Sequence, residues 1–164
     1  MANVGFFGGS SLFELGPPAD VELFFGAVNL LAIPAHPSPN WSILTDRLFR
    51  RYLHLNELDA AQQLMDDTKE IFDSMPSLRI DWSNITSPKA VTRLDPHRQS
   101  LGQVFSKYFE AFAYCRESAE VFFKTWNEYQ PLRIVISDMP AFMVEKSRSI
   151  KEYDVLEGVP FWRR

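Results

Sequence analysis

The side chains able to do chemistry are few and scattered. His36, His54 and His97 fall in a proline-rich loop, at a helix boundary and in an irregular connection. A helical metal site such as HExxH needs ligands three or four residues apart on one face. His54 alone has an acid at that distance, Glu57, and a helix boundary separates the two. No metal or cofactor is therefore expected. Cys115 lies between Phe112 and Ala119 on an apolar stripe, which suits a small buried hydrophobe better than an activated thiolate. The run Gly5-Phe6-Phe7-Gly8-Gly9-Ser10 lacks the lysine of a GxxxxGK[ST] phosphate loop and the third glycine of GxGxxG, and a hairpin turn accounts for it. Asp66 and Asp67 are adjacent, but neighbours on a helix point about 100° apart and do not converge as an acid/base pair. No catalytic residue is expected, although residues far apart in the chain could still meet in space.

One charged pattern is regular. Asp59, Gln63, Asp66, Glu70 and Asp73 step by four, three, four and three, opposite Leu58, Ala61, Met65 and Phe72. Between residues 56 and 81 the acids are Glu57, Asp59, Asp66, Asp67, Glu70, Asp73 and Asp81, against Lys69 and Arg79 only. Such a stripe is either a solvated helix face or a docking surface for a basic partner, because a face of one sign steers association. On the second reading Asp59, Asp66, Asp67, Glu70 and Asp73 are the partner-binding residues.

The elements that must position them follow from periodicity. Residues 3–15 read as a hairpin turning at Gly8-Gly9-Ser10-Ser11, ended by Pro17-Pro18. Residues 19–33 read as a helix, with Asp20 and Glu22 near its positive end. Three prolines make 34–39 a loop. A helix over 41–53 and a stronger one over 56–75, capped by Asn56 with Asp59 in its first turn, come next. Residues 78–82 alternate apolar and charged as a half-buried strand would. Residues 83–99 read as irregular. Ser100 caps a long helix to about residue 129, with Leu101, Phe105, Tyr108, Phe112, Cys115, Ala119, Phe122 and Trp126 on one unbroken face. Residues 132–136 are the most strand-like run, and a short helix over 141–151 precedes a tail ending Val159-Pro160-Phe161-Trp162, expected to dock back on the core. The fold class is α+β: a small antiparallel or mixed sheet, from the hairpin and strands near 78–82 and 132–136, packed with four to five helices.

Length and composition bound the rest. A chain of 164 residues fits one domain, and 46% hydrophobic content with fourteen Phe implies an aromatic-rich core. A net charge of −4 and a pI near 5.4 argue against nucleic-acid binding and against a polybasic membrane anchor. A single cysteine rules out an intramolecular disulfide. The N-terminus lacks the basic region of a signal peptide, and no stretch approaches the roughly 20 apolar residues that span a bilayer. The expected location is cytoplasmic.

The order of these elements resembles toxin-immunity proteins of bacterial polymorphic-toxin and contact-dependent growth inhibition systems. The resemblance runs through Val4-Gly5, Phe13-Glu14-Leu15-Gly16, a Phe-rich helix over 21–31 and a tryptophan-led helix. It continues with a Tyr-Leu junction, the charged helix over 56–75 closed by proline, and Ile80-Asp81-Trp82. Residues 101–126 and Ile134-Val135-Ile136 match more loosely, and the chain departs from the pattern after Ser137, with an extension from about residue 138. The resemblance implies a protein that binds and neutralises a cognate toxin C-terminal domain in the producing cell. Many such toxins are basic nucleases, to which an acidic inhibitor is complementary. A non-enzymatic adaptor or chaperone-like module for another bacterial protein is the alternative.

Overall fold

The computed structural model describes residues 3–82 and 92–137, together with Pro160 and Trp162. The expected helix over 141–151 and residues 83–91 of the irregular connection lie outside them. Strands β1 (Val4–Gly8) and β2 (Ser11–Gly16) form the expected hairpin, and β3 (Arg133–Ile136) pairs with the other edge of β1. The sheet is antiparallel throughout, in the order β2-β1-β3. The hairpin turns on Gly9-Ser10, with a positive φ of 61° at Gly9 alone, the signature of a type II′ turn. Glycine is required there twice over, since a Cβ on Gly9 would also lie 2.3 Å from the Ser118 carbonyl oxygen. The turn is tied down where the Gly9 N–H donates to the Gln130 carbonyl at 3.1 Å.

Helix α1 (Pro18–Ala27) runs on through a π-helical turn, Val28–Ala32, into α2 (Ile33–Ala35). Pro34 explains the widened turn before it. In a regular α-helix its ring would strike the carbonyl four residues back, and it has no N–H to return. The continuous run Pro18–Ala35 has a mean hydropathy of 1.3, so by length and composition alone it could cross a membrane, contrary to the expectation that no stretch comes near. Here Val21, Phe24, Phe25, Val28 and Ala32 are buried in the core. The second expected helix is a π-helical turn, Ile43–Leu48, with short helical flanks.

A 3-10 turn (Leu55–Glu57) leads into α3 (Leu58–Asp73). The cap differs from expectation. Asn56 lies inside the turn, and the Glu57 carboxylate accepts from the His54 backbone N–H at 2.8 Å, so the boundary sits two residues earlier. The inner stripe is as expected: Leu58, Ala61, Met65, Thr68 and Phe72 are buried, and the Thr68 hydroxyl donates to the Leu64 carbonyl at 2.7 Å.

The strand expected near 78–82 does not form. Ser77–Arg79 is a 3-10 turn, Leu78 is 83% exposed, and the Trp82 indole N–H donates to the Ser77 carbonyl at 2.8 Å, folding the segment back on itself. Ser77 and Met75 are instead paired with the distant Gln99 and Leu101 through backbone hydrogen bonds. Ser100 caps the next helix as expected, accepting from the Gln103 N–H at 3.2 Å. That helix is broken, however. The short α4 (Leu101–Val104) gives way at Phe105, with φ −102° and ψ 15°, before α5 (Ser106–Trp126). Asn127, in the left-handed conformation, ends α5 short of residue 129.

Phe24 is the centre of the core. Its ring lies 4.8 Å from Tyr108, 5.3 Å from Phe105, 5.7 Å from Phe109 and 6.3 Å from Phe72. Phe6, on one face of β1, meets Phe112 of α5 edge-on at 5.9 Å, while Phe7 packs on the other face with Val135. Trp162 returns to this core as expected: it is 4% exposed, and its indole N–H donates to the Phe49 carbonyl at 3.0 Å. Phe24→Ala should lower unfolding free energy by about 3–5 kcal/mol, whereas Leu30→Ala, 76% exposed, should stay within about 0.5 kcal/mol. Chemical denaturation compares the two directly; equal losses would contradict this core.

Candidate functional site

The acidic stripe stands where the spacing places it. Asp59, Asp66, Glu70 and Asp73 are exposed on α3, on the side turned away from Phe72 and Ala61. They are not equally free. Asp59 pairs with Arg116 of α5, which also holds Glu120 at 3.0 Å. Asp73 pairs with Lys69 at 2.8 Å and packs against Gly102 of α4. Among the described residues Asp66 accepts from the side-chain amide of Gln62, at 2.9 Å, a neutral contact that leaves its negative charge uncompensated. Asp67 departs from the group: it is half-buried and turned aside, accepting from Gln63 at 2.9 Å with His36 Nε2 at 3.9 Å.

Asp67 faces a groove of about 360 Å³ between α3 and the loop that joins the two π-helical turns. Ile43, Leu64, Ala60 and Pro39 supply apolar walls; His36, Gln63 and Asp67 stand at its rim. The loop is held by Trp41, which is buried and donates its indole N–H to the His36 carbonyl at 2.8 Å. π-Helical turns are uncommon and cluster at functional sites. Here one lies on each side of the groove-forming loop. The prolines of this loop are plain in the sequence, but the groove is not, because helical periodicity does not report an extra residue per turn. A second groove of about 300 Å³, walled by Leu23, Gly26, Leu30 and Ile80, has a mixed rim of Glu22, Asp81 and Arg79.

The nucleophile and metal candidates stay apart. Cys115 is buried, its Sγ donates to the Phe6 carbonyl at 3.4 Å, and burial pushes the thiol up to about 12. That leaves almost no thiolate at neutral pH. His54 and His97 are exposed. Among the described residues no three His, Cys, Asp or Glu side chains are gathered as a metal site requires.

Among the described residues one carboxylate is buried. Asp20, 1% exposed on α1, accepts from the Thr92 hydroxyl and the Arg93 N–H, each at 2.8 Å, so it fastens the far side of the irregular connection to α1. Desolvation raises its pKa above the ordinary 3.8, against the lowering by Arg93 and Thr92. The neighbouring Tyr108 hydroxyl is buried without a hydrogen-bond partner among the described residues, and burial with the nearby Asp20 charge holds its pKa well above 10.0. Nothing in the sequence around Asp20 marks it for burial, since an acid in a first helical turn is ordinarily solvated.

Comparison of the chain with protein-family models, with characterised proteins and with solved structures finds no match.

The Asp20 geometry has a signed consequence. A folded carboxyl that binds its proton more tightly than the unfolded one contributes most to stability below the unfolded value near 3.8, and that contribution is lost as pH rises through the folded value. The stability advantage of the parent chain over Asp20→Asn should therefore be largest at acid pH and shrink as pH rises. Denaturation midpoints of both proteins across that range check it; an advantage that grows with pH would contradict it.

Proposed function

We propose that this chain is an immunity protein that binds a cognate toxin C-terminal domain in the cytoplasm of the producing cell and blocks its activity. The observation that carries this reading is the acid-rich face of α3, on which Asp59, Asp66, Glu70 and Asp73 are exposed opposite the buried stripe. Such a face favours a basic partner twice. It accelerates encounter through the long-range field, and it opposes each acid to a cation on contact. A basic nuclease domain has the complementary surface. The order of sequence elements from the VG-initiated hairpin to Ile80-Asp81-Trp82 supports the same family. No catalytic role is assigned to any residue, and no cofactor, nucleic acid or membrane enters the mechanism.

The adaptor reading draws on a different feature. Tyr114, Val121 and Trp126 of α5 are exposed by 54%, 54% and 68%. Apolar side chains in such positions suit a partner recognised by burial rather than by charge.

Two measurements separate these readings. A pull-down of the tagged chain from the cells that make it should recover a toxin domain in stoichiometric amount; a housekeeping protein in its place favours the adaptor. With the toxin domain in hand, reversing Asp59, Asp66 and Glu70 together to Lys should slow association by about tenfold or more at low salt and weaken binding. Unchanged association kinetics would sink the assignment of this face.

A further inference from the structure

We infer that the groove between α3 and the 36–43 loop is the anchor pocket of that interface. Its occupant is a single apolar side chain flanked by Lys or Arg on the partner. This deepens the proposed function, and rests on it for the partner being basic. The pocket itself stands on its own geometry.

Three observations converge. First, the groove has the make-up of an anchor site: apolar walls from Ile43, Leu64, Ala60 and Pro39, with Leu64 only 3% exposed at its base. At about 360 Å³ it is far larger than the roughly 30 Å³ share of one water and has room for an apolar side chain with its flanking residues. Binding energy at protein interfaces concentrates where one side chain is fully desolvated in such a pocket, with polar groups around it. Second, the rim on the α3 side carries negative charge, and that charge continues away from the pocket. Gln63 and Asp67 line it, and Asp66 and Glu70 stand three residues beyond each. Residues at that spacing are neighbours on a helix, about 5–6 Å apart at Cβ. An apolar side chain seated between Leu64 and Ile43 thus has acids within reach of cations placed beside it. Third, the opposite wall is fixed. Trp41 bonded to the His36 carbonyl and the π-helical turn beginning at Ile43 hold the loop off α3, so the pocket is formed without a ligand. The groove beside Gly26 has comparable walls, but its rim mixes Arg79 with Glu22 and Asp81 and does not continue into the acidic stripe of α3.

The chemistry distinguishes this occupant from others. A wholly charged basic segment would gain from Asp66 and Glu70 but leave the apolar walls wet. A wholly apolar one would fill the groove but gain nothing from Asp66 and Glu70 beside it. Only the combination uses both halves of the site.

The test is a titration of the full chain with the pentapeptide Lys-Arg-Leu-Arg-Lys, followed by amide chemical shifts. Shifts should centre on Ile43, Ala60, Gln63, Leu64 and Asp67. Replacing the peptide leucine by serine, or its cations by glutamates, should weaken binding at least tenfold. The exposed Ala60 can be enlarged without disturbing the core, and Ala60→Trp should fill the groove and weaken the leucine peptide at least tenfold. Equal affinity of the leucine and serine peptides would overturn the proposal, as would shifts confined to the outer acids or an Ala60→Trp chain that binds normally. The outcome is separable from that of the toxin reading. A leucine peptide that seats in the groove upholds the pocket even if the pull-down yields no toxin. A toxin bound equally well by Ala60→Trp removes the pocket from the interface and leaves the acidic face in place.

Discussion

Phe24 lies where α1, α3 and the junction of α4 and α5 meet. It belongs to α1, yet its ring is bounded by Phe72 from α3, by Phe105 at the junction of α4 and α5, and by Tyr108 and Phe109 from the first turn of α5. Pairs of rings at these distances add about 0.5–1.5 kcal/mol each beyond the area they bury, and they do so only in edge-on or offset arrangements. That directional preference turns a hydrophobic cluster into a frame. At the break between α4 and α5, Phe105 sits between Phe24 and Phe72, at 5.3 and 5.9 Å. α3 is held with Phe72 inward, so the stripe opposite it, Asp59, Asp66, Glu70 and Asp73, faces out. The charge pattern of the surface is thus a by-product of how the rings stack within.

What could be read from the sequence was whatever repeats locally. The hairpin, the inner stripe of α3, the Ser100 cap and the strand at 132–136 each rest on neighbours within a few residues, and each is present. The failures share the opposite property. Residues 78–82 alternate as a strand would, but Ser77–Arg79 winds into a 3-10 turn and Trp82 bonds back to Ser77. The helix through Phe105 breaks, although its apolar spacing is continuous on both sides. Asp20 is buried by a segment more than seventy positions away, through Thr92 and Arg93. The groove arises from two turns wound one residue too wide, a feature with no signature in polarity.

The acidic residues show the same division at the level of a site. Spacing placed Asp59, Asp66, Asp67, Glu70 and Asp73 on or near one face, and four of them are exposed there. It could not distinguish them by partner. Arg116 from α5 partly neutralises Asp59, and Lys69 does the same for Asp73. The field of the face is therefore weighted toward Asp66 and Glu70, in the middle of the helix. Asp67, which looked like one member of a pair, belongs instead to the flank, beside His36 and an apolar wall.

The strand order carries a consequence for how the chain reaches this state. The central strand is β1, and its two edges are filled on very different schedules. Gly8 finds Ser11 across a tight turn, while Val4 must wait for Ile136. Local pairing closes in microseconds, but a pairing of such long range waits on loop closure. As a ribosome makes the protein, the hairpin is complete long before β3 leaves the exit tunnel, and one side of β1 stays open to other chains through most of synthesis. The interior of the sheet is therefore, for a time, its most adhesive edge.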